Sequence, residues 1–382
     1  MNRAWRLLLI CSIGAVLIAA AAYRRARIAA PDPPVPLPLT QRDVFRATPE
    51  NAEKGIPAMN ENEPIARLSF EAAALFKEHP PRLYNRNKEV VYAKACPPGC
   101  THSGTLEFTR WREMKLPEKI PVAAPKIEPR IDIYRYEKNV PGYTEWYVNF
   151  ADEHLFAYYG GALLAQDELQ VAEHPGLGAL REALLKKDLE FGTYQDGRPT
   201  PVLVKGVQRR CALSLDADSS QGRPRGLYGN NFGAAPVVAI ERAIRVIDPP
   251  TVSNIIAIAA PSGGNGDYKW EEIELILATA YTGFRAAKLE SHGPLIIHTG
   301  FWGCGAFGGN RELMAAIQLF AARLAGVDSV IFHTFNGDGM EQCERARVLM
   351  DDILKKNPSW TVRDVVLELS NLDFKWGTSD GN

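Results

Sequence analysis

The feature that most restricts how this chain can fold is a run of five glycines in ten residues, Gly300-Phe301-Trp302-Gly303-Cys304-Gly305-Ala306-Phe307-Gly308-Gly309. Glycine loses more backbone freedom on ordering than any other residue, so a run this dense is costly unless that freedom is used. Pro294 to Thr299 reads as the strand before it. Arg311 to Leu324 reads as the helix after it, with Leu313, Ile317, Phe320 and Leu324 on one face and Gly326 as the stop. A strand-to-helix turn needs only about two residues. A longer loop without side chains lets main-chain N–H groups approach a ligand, and the helix start favours an anion. A diphosphate is the natural occupant. The loop does not end in Gly-Lys-Ser/Thr and lacks the dinucleotide-fingerprint spacing, which sets aside both of those phosphate sites.

The surrounding pattern gives the fold class. Asn254 to Ala260 reads as a buried strand, broken by Pro261-Ser262-Gly263-Gly264. Trp270 to Arg285 places Ile273, Ile276, Leu277, Ala280 and Phe284 on one helical face. Asp328 to Phe335 is a third strand. Ile131 to Tyr136 alternates like a strand, Glu145 to Phe150 is rich in β-formers, and Gly160 to Val171 has helical character. Alternating strands and helices predict an α/β layered sheet, largely parallel. Ile65 to Phe76 has helical spacing, and residues 82–130, punctuated by proline, read as irregular. The expected organisation is a hydrophobic segment over 1–28, a proline-rich linker over 29–62, an accessory layer over 63–130 and the main domain over 131–378.

Leu7 to Tyr23 is almost wholly apolar, with no acidic residue before Asp32. Its seventeen residues reach the lower limit for crossing a bilayer core of ~30 Å, so a membrane anchor is expected. A cleaved signal or organellar presequence is the alternative, because Ala19 to Ala22 suits a peptidase site. With 44 basic against 45 acidic residues, no excess charge drives nucleic-acid binding. Six cysteines form no tight framework. Cys96, Cys100 and His102 read as a turn with two free thiols, since no second ligand pair stands at a fitting spacing.

The segment from Gly300 to Asn310 resembles the signature of the poly(ADP-ribose) glycohydrolases, Gly-Asn-Trp-Gly-Cys-Gly-Ala-Phe-Gly-Gly-Asp. Phe301 replaces the family's Asn and Asn310 its Asp; the other nine positions match. Ala280-Tyr281-Thr282-Gly283-Phe284, Ala316-Ile317-Gln318-Leu319 and Val330 to Phe335 extend the likeness, which covers about 145–340. The resemblance implies a three-layer α/β/α macrodomain-like mixed sheet, with an N-terminal accessory segment, and ADP-ribose as the ligand. Gly303, Gly305, Ala306, Phe307, Gly308 and Gly309 would cradle its diphosphate. Phe335 would stand near the adenine, unless it is a strand-end core residue.

The same resemblance assigns the chemistry. The family's glycine triplet and Gln-Glu-Glu fall here on Phe156-Ala157-Tyr158 and Gln166-Asp167-Glu168, in register with Phe150-Ala151. Glu168 matches the acid that protonates the leaving ribose oxygen and then takes a proton from water. Asp167 matches the carboxylate that orients ribose hydroxyls. Adjacent helical residues point ~100° apart, so the two do different work. Gln166 belongs to the ligand contacts, and Asp152 stands where the family has Asn. Phe156 and Tyr158 are bulky and do not readily take the positive φ open to glycine. The loop is expected either to swing outward or to lay an aromatic ring over the site. His298, alternating on a strand, reads as a satisfied core residue, and Tyr228 to Gly233 as a structural loop.

The function so implied is hydrolysis of poly(ADP-ribose) or a related ADP-ribose linkage, including ADP-ribosylated proteins, without metal or redox cofactor. The alternatives are a non-catalytic ADP-ribose-binding module and a hydrolase of another ADP-ribosylated substrate.

Overall fold

A computed structural model describes residues 62–136, 140–187, 189–262 and 264–381. Eight of its strands form one mixed sheet in the order β1-β2-β7-β8-β4-β9-β10-β3. They are β1 (Ala66–Glu71), β2 (Thr105–Arg110), β3 (Lys126–Arg130), β4 (Thr144–Ala151), β7 (Val202–Leu213), β8 (Ile244–Ala259), β9 (Leu295–Gly300) and β10 (Ser329–His333). A small hairpin, β5 (Tyr194–Gln195) and β6 (Arg198–Pro199), stands apart. From β8 through β4, β9 and β10 to β3 every pairing is parallel. The other half, β1, β2, β7 and β8, pairs antiparallel.

Side chains alternate across a strand, so each central strand feeds two cores. Trp146, Val148, Ile256, Ile258 and Ile297 point to one face. There they meet helices α7 (Trp270–Leu289), α8 (Arg311–Ala325), α9 (Gly337–Lys356) and α10 (Val362–Ser370). Tyr147, Ala151, Ile255 and Ala257 point to the other. That face is covered by α1 (Ala72–Glu78), α2 (Arg86–Ala95), α3 (Gln166–Glu173), α4 (Pro175–Leu185), the one-turn α5 (Asn231–Ala234) and α6 (Val237–Ala243). The result is the expected three-layer α/β/α mixed sheet.

Local chemistry sets the ends of the helices nearest the loop. The Asn310 side chain caps α8 by accepting from the Leu313 N–H at 3.1 Å. Gly326, at φ +71°, ends α8 in the left-handed conformation.

Several expectations are corrected. The segment 63–130 is not a layer on the outside, because Leu106 and Phe108 of β2 are core residues and β1, β2 and β3 belong to the sheet. Ile65 to Phe76 is half strand, since Ala66–Glu71 alternates in burial and pairs with β2; only from Ala72 is it helical. Within 82–130 stands α2, a polar helix with little apolar periodicity, capped by Asn85 through the Asn87 and Lys88 N–H groups. Ile131 to Tyr136 is no strand. Its tyrosines pack onto β4 instead, Tyr134 donating to the Val148 carbonyl, and Tyr136 breaks extension at φ +49°. The helix expected over Gly160 to Val171 begins only at Gln166. A Cβ at Gly160 would lie 2.3 Å from the Arg82 carbonyl, so the segment carrying Arg82 packs closely against the chain there.

The membrane assignment is also withdrawn. Among the described residues no helix is long and apolar enough to cross a membrane, and Leu7 to Tyr23 lies outside those residues.

Candidate functional site

In a parallel sheet the carboxyl ends of the strands, with the helix starts that follow them, form the natural ligand edge. Here β9 ends at Gly300 and delivers the glycine-rich loop to that edge. Trp302 anchors the loop, fully buried with its indole N–H on the Ile258 carbonyl at 3.0 Å. Gly303 and Gly308 take φ of +75° and +70°. A Cβ on Gly303 would sit 2.6 Å from that of Ala260. The backbone N–H groups of Gly305, Ala306 and Phe307 meet no acceptor among the described residues. Three such donors in succession suit an anion.

The chain supplies an anion of its own. After α10 the backbone stacks Trp376 on Tyr268 and then crosses the loop. Gly377 N–H donates to the Gly308 carbonyl at 2.7 Å, and Asp380 N–H to the Gly305 carbonyl at 3.4 Å. The Asn230 side chain holds the Gly381 carbonyl at 3.0 Å. A Cβ on Gly305 would lie 3.1 Å from the Asp380 carboxylate. Nothing in the spacing of the sequence pointed to this strap.

The carboxylates stand on α3. Gln166 ties its first turn to β4 by accepting from Phe150 N–H at 2.7 Å and donating to the Val148 carbonyl at 3.1 Å. Its amide therefore serves the scaffold. Asp167 is buried and accepts from the Asn149 side chain at 3.0 Å. Glu168, buried too, turns back to accept the Ala165 N–H at 3.0 Å. The two carboxylates thus diverge, as helix geometry requires. Asp152, just beyond β4, accepts the His154 N–H at 3.0 Å.

Lys88 of α2 escaped the sequence reading. It is fully buried, and its ammonium has no hydrogen-bond partner. Burial pushes it down to about 8, against the pull of the Glu168 and Asp167 charges. Burial raises Asp167, helped by the Glu168 charge and opposed by the Asn149 bond. Burial also raises Glu168, with Lys88 as the strongest opposing influence. Tyr228 links this cluster to the strap. Burial, then the Asp380 and Glu168 charges, push its hydroxyl up to about 12.

Phe156 corrects another expectation. It adopts φ +53° and buries its ring completely in the core, so it neither swings the loop out nor covers the site. Tyr158 is exposed. Phe335, at φ +69° and 61 % exposed, is not a core residue. It lines a cavity of about 550 Å³ that also receives Gln166, Tyr136 and Arg209. Phe307 packs partly buried against the core. His298 is a satisfied core residue, bonded to His333 and Glu145 at 3.1 Å each.

A mixed sheet between two helical layers, with a glycine-rich loop at its carboxyl edge, defines a macrodomain-like protein. Residues 228–342 match the family model of the catalytic domain of poly(ADP-ribose) glycohydrolase, Macro domain fold. Over that stretch the chain is similar to the poly(ADP-ribose) glycohydrolase catalytic domain, in line with the resemblance carried by the loop. Solved structures overlap more loosely. The poly(ADP-ribose) glycohydrolase from Thermomonospora curvata is 17% identical, covering 68% of this chain and 98% of its own, with a TM-score of 0.43. That from Deinococcus radiodurans in complex with ADP-ribose is 12% identical, covering 76% and 95%, with a TM-score of 0.37.

The loop gives a direct test of its own. Gly308→Val forces a β-branched residue to φ +70°, with its Cβ 3.1 Å from the Gly377 carbonyl, and should cost ~1–3 kcal/mol of stability. Gly305→Val has only the flexible Asp380 side chain to displace, so the fold should hold. Both should weaken ADP-ribose binding in calorimetry. Unchanged affinity in folded variants would make the loop a turn and nothing more.

Proposed function

We propose that this chain hydrolyses ribose–ribose bonds of poly(ADP-ribose), or a related ADP-ribose linkage, with Glu168 as acid and then base. The observation that supports the reading is a buried carboxylate pair at a helix start, together with a glycine loop whose Gly305, Ala306 and Phe307 N–H groups meet no acceptor among the described residues. The diphosphate takes the Gly305, Ala306 and Phe307 N–H groups, and Gly303, Gly308 and Gly309 keep the backbone close enough for contact. Asp167, steadied by Asn149, receives ribose hydroxyls, with Asp152 as a further ligand contact and Phe335 toward the adenine. Burial raises the Glu168 carboxyl and so favours its protonated form. Glu168 gives that proton to the leaving ribose oxygen as positive charge develops on the sugar. Water then adds to the anomeric carbon and returns a proton to Glu168. The carboxylate formed in between is stabilised by the Ala165 N–H and by the charge of Lys88.

The test incubates the full chain with labelled poly(ADP-ribose) and follows both product and bound polymer. Release of free ADP-ribose supports a hydrolase. Retained polymer without release would make the chain a binding module, and neither would remove the ADP-ribose reading altogether.

Lys88→Met adds a pH signature. The ammonium favours the ionised form of Glu168, so removing it should raise the Glu168 pKa further. The acid then stays protonated to higher pH, and the alkaline limb of the pH–rate profile should move up. A profile that stays in place in a folded variant would detach Lys88 from Glu168.

A further inference from the structure

The hydrolytic reading leaves one group of reactive side chains unused. Cys96-Pro97-Pro98-Gly99-Cys100-Thr101-His102 follows directly on α2, the helix that carries Lys88. Spacing alone suggested a turn with free thiols, but the fold draws its side chains together. One ligand atom each from Cys96, Cys100 and His102 lie within 4.8 Å of one another, and all three residues are half-buried.

The spacing suits a metal ion. Cys100 Sγ stands 3.5 Å from His102 Nε2. Around a tetrahedral zinc ion, with Zn–S near 2.3 Å and Zn–N near 2.0 Å, an S···N separation of about 3.5 Å is required. The turn that brings the thiols together uses Gly99 at φ +82°, closed by Cys100 N–H on the Pro97 carbonyl at 2.9 Å. The His102 ring is fixed by stacking on Phe76, with centroids 3.5 Å apart and planes at 12°. Its Nδ1 is buried with no partner, so Nε2 is the engaged edge of the ring. Arg210 clamps both ends of the loop through the Ala95 and Thr101 carbonyls at 3.0 and 3.1 Å. Its guanidinium opposes the burial that pushes the Cys96 thiol up to about 12.

We propose that Cys96, Cys100 and His102 bind one zinc ion, with water in the fourth position. Two thiolates balance the charge of the cation, and an imidazole completes a borderline-soft ligand set that selects zinc over magnesium or calcium. Binding releases one proton from each thiol and involves no oxidant. The ion would lock the loop that ends α2.

The full chain, purified under reducing conditions and loaded with zinc, tests this after exhaustive dialysis. Metal analysis should find about one equivalent retained. Cobalt replacement should give thiolate charge-transfer absorption and the visible bands of a tetrahedral centre. Cys100→Ser and His102→Ala should lose both signals, while Cys343→Ser, altered elsewhere in the core, keeps them. A measurement without variants guards against misfolding: zinc should protect Cys96 and Cys100 of the unaltered chain from alkylation, read peptide by peptide. Equal alkylation with and without zinc would overturn the site. So would a chain two mass units lighter that carries a Cys96–Cys100 disulfide and retains no metal.

Discussion

Glu168→Gln is expected to reduce turnover of poly(ADP-ribose) by roughly 10²-fold or more, the scale of general acid catalysis. The amide keeps the shape of the side chain, and its oxygen can still accept the Ala165 N–H that Glu168 receives at 3.0 Å. What is lost is the proton for the leaving oxygen. ADP-ribose affinity should change little, because the diphosphate contacts lie on the glycine loop. Asp167→Asn should act the other way round. Its partner Asn149 donates at 3.0 Å to a carboxylate oxygen, and a neutral amide there orients ribose hydroxyls less well, so binding suffers more than chemistry. Single-turnover kinetics beside calorimetric titration separate the two effects. Wild-type turnover in Glu168→Gln would assign the acid to another group.

Phe156→Gly is expected to destabilise the protein by about 2–4 kcal/mol. Deleting a fully buried aromatic ring costs about 3–5 kcal/mol. Relief of the strained backbone at φ +53° returns about 1 kcal/mol of that. Restoring the family's glycine at this one position therefore subtracts core. Urea unfolding reads the balance, and a variant at least as stable as the parent would show that the ring contributes little packing.

The parts of the fold governed by periodicity were legible. β4, β9, β10, α7 and α8 appear within a few residues of where alternation and helical spacing put them, because their burial is one-sided or complete. The missed elements share a cause, which is that tertiary partners outweigh local pattern. In α2 the inward residues include Asn87 and Lys88, so no apolar stripe announces it. Ile131 to Tyr136 alternates, yet its tyrosines have Tyr147 and His333 to pack against and need no ladder. In the site, the glycine loop and the Gln166-Asp167-Glu168 run carried their own signatures. Lys88 and Asp380 did not, since each acquires meaning only from residues about eighty positions distant along the chain.

On the proposed reading, the strap from Gly377 to Gly381 would make ligand binding an exchange. A diphosphate on the Gly305, Ala306 and Phe307 N–H groups would meet Asp380, whose own N–H holds the Gly305 carbonyl and whose carboxylate lies beside Gly305. Its measured affinity is then the intrinsic affinity multiplied by the fraction of molecules in which the strap is lifted. A strap lifted one time in a hundred would weaken binding by about a hundredfold, or roughly 2.7 kcal/mol, with every ligand contact unchanged. Occupancy of the loop and freedom of the strap thus become two readings of one equilibrium.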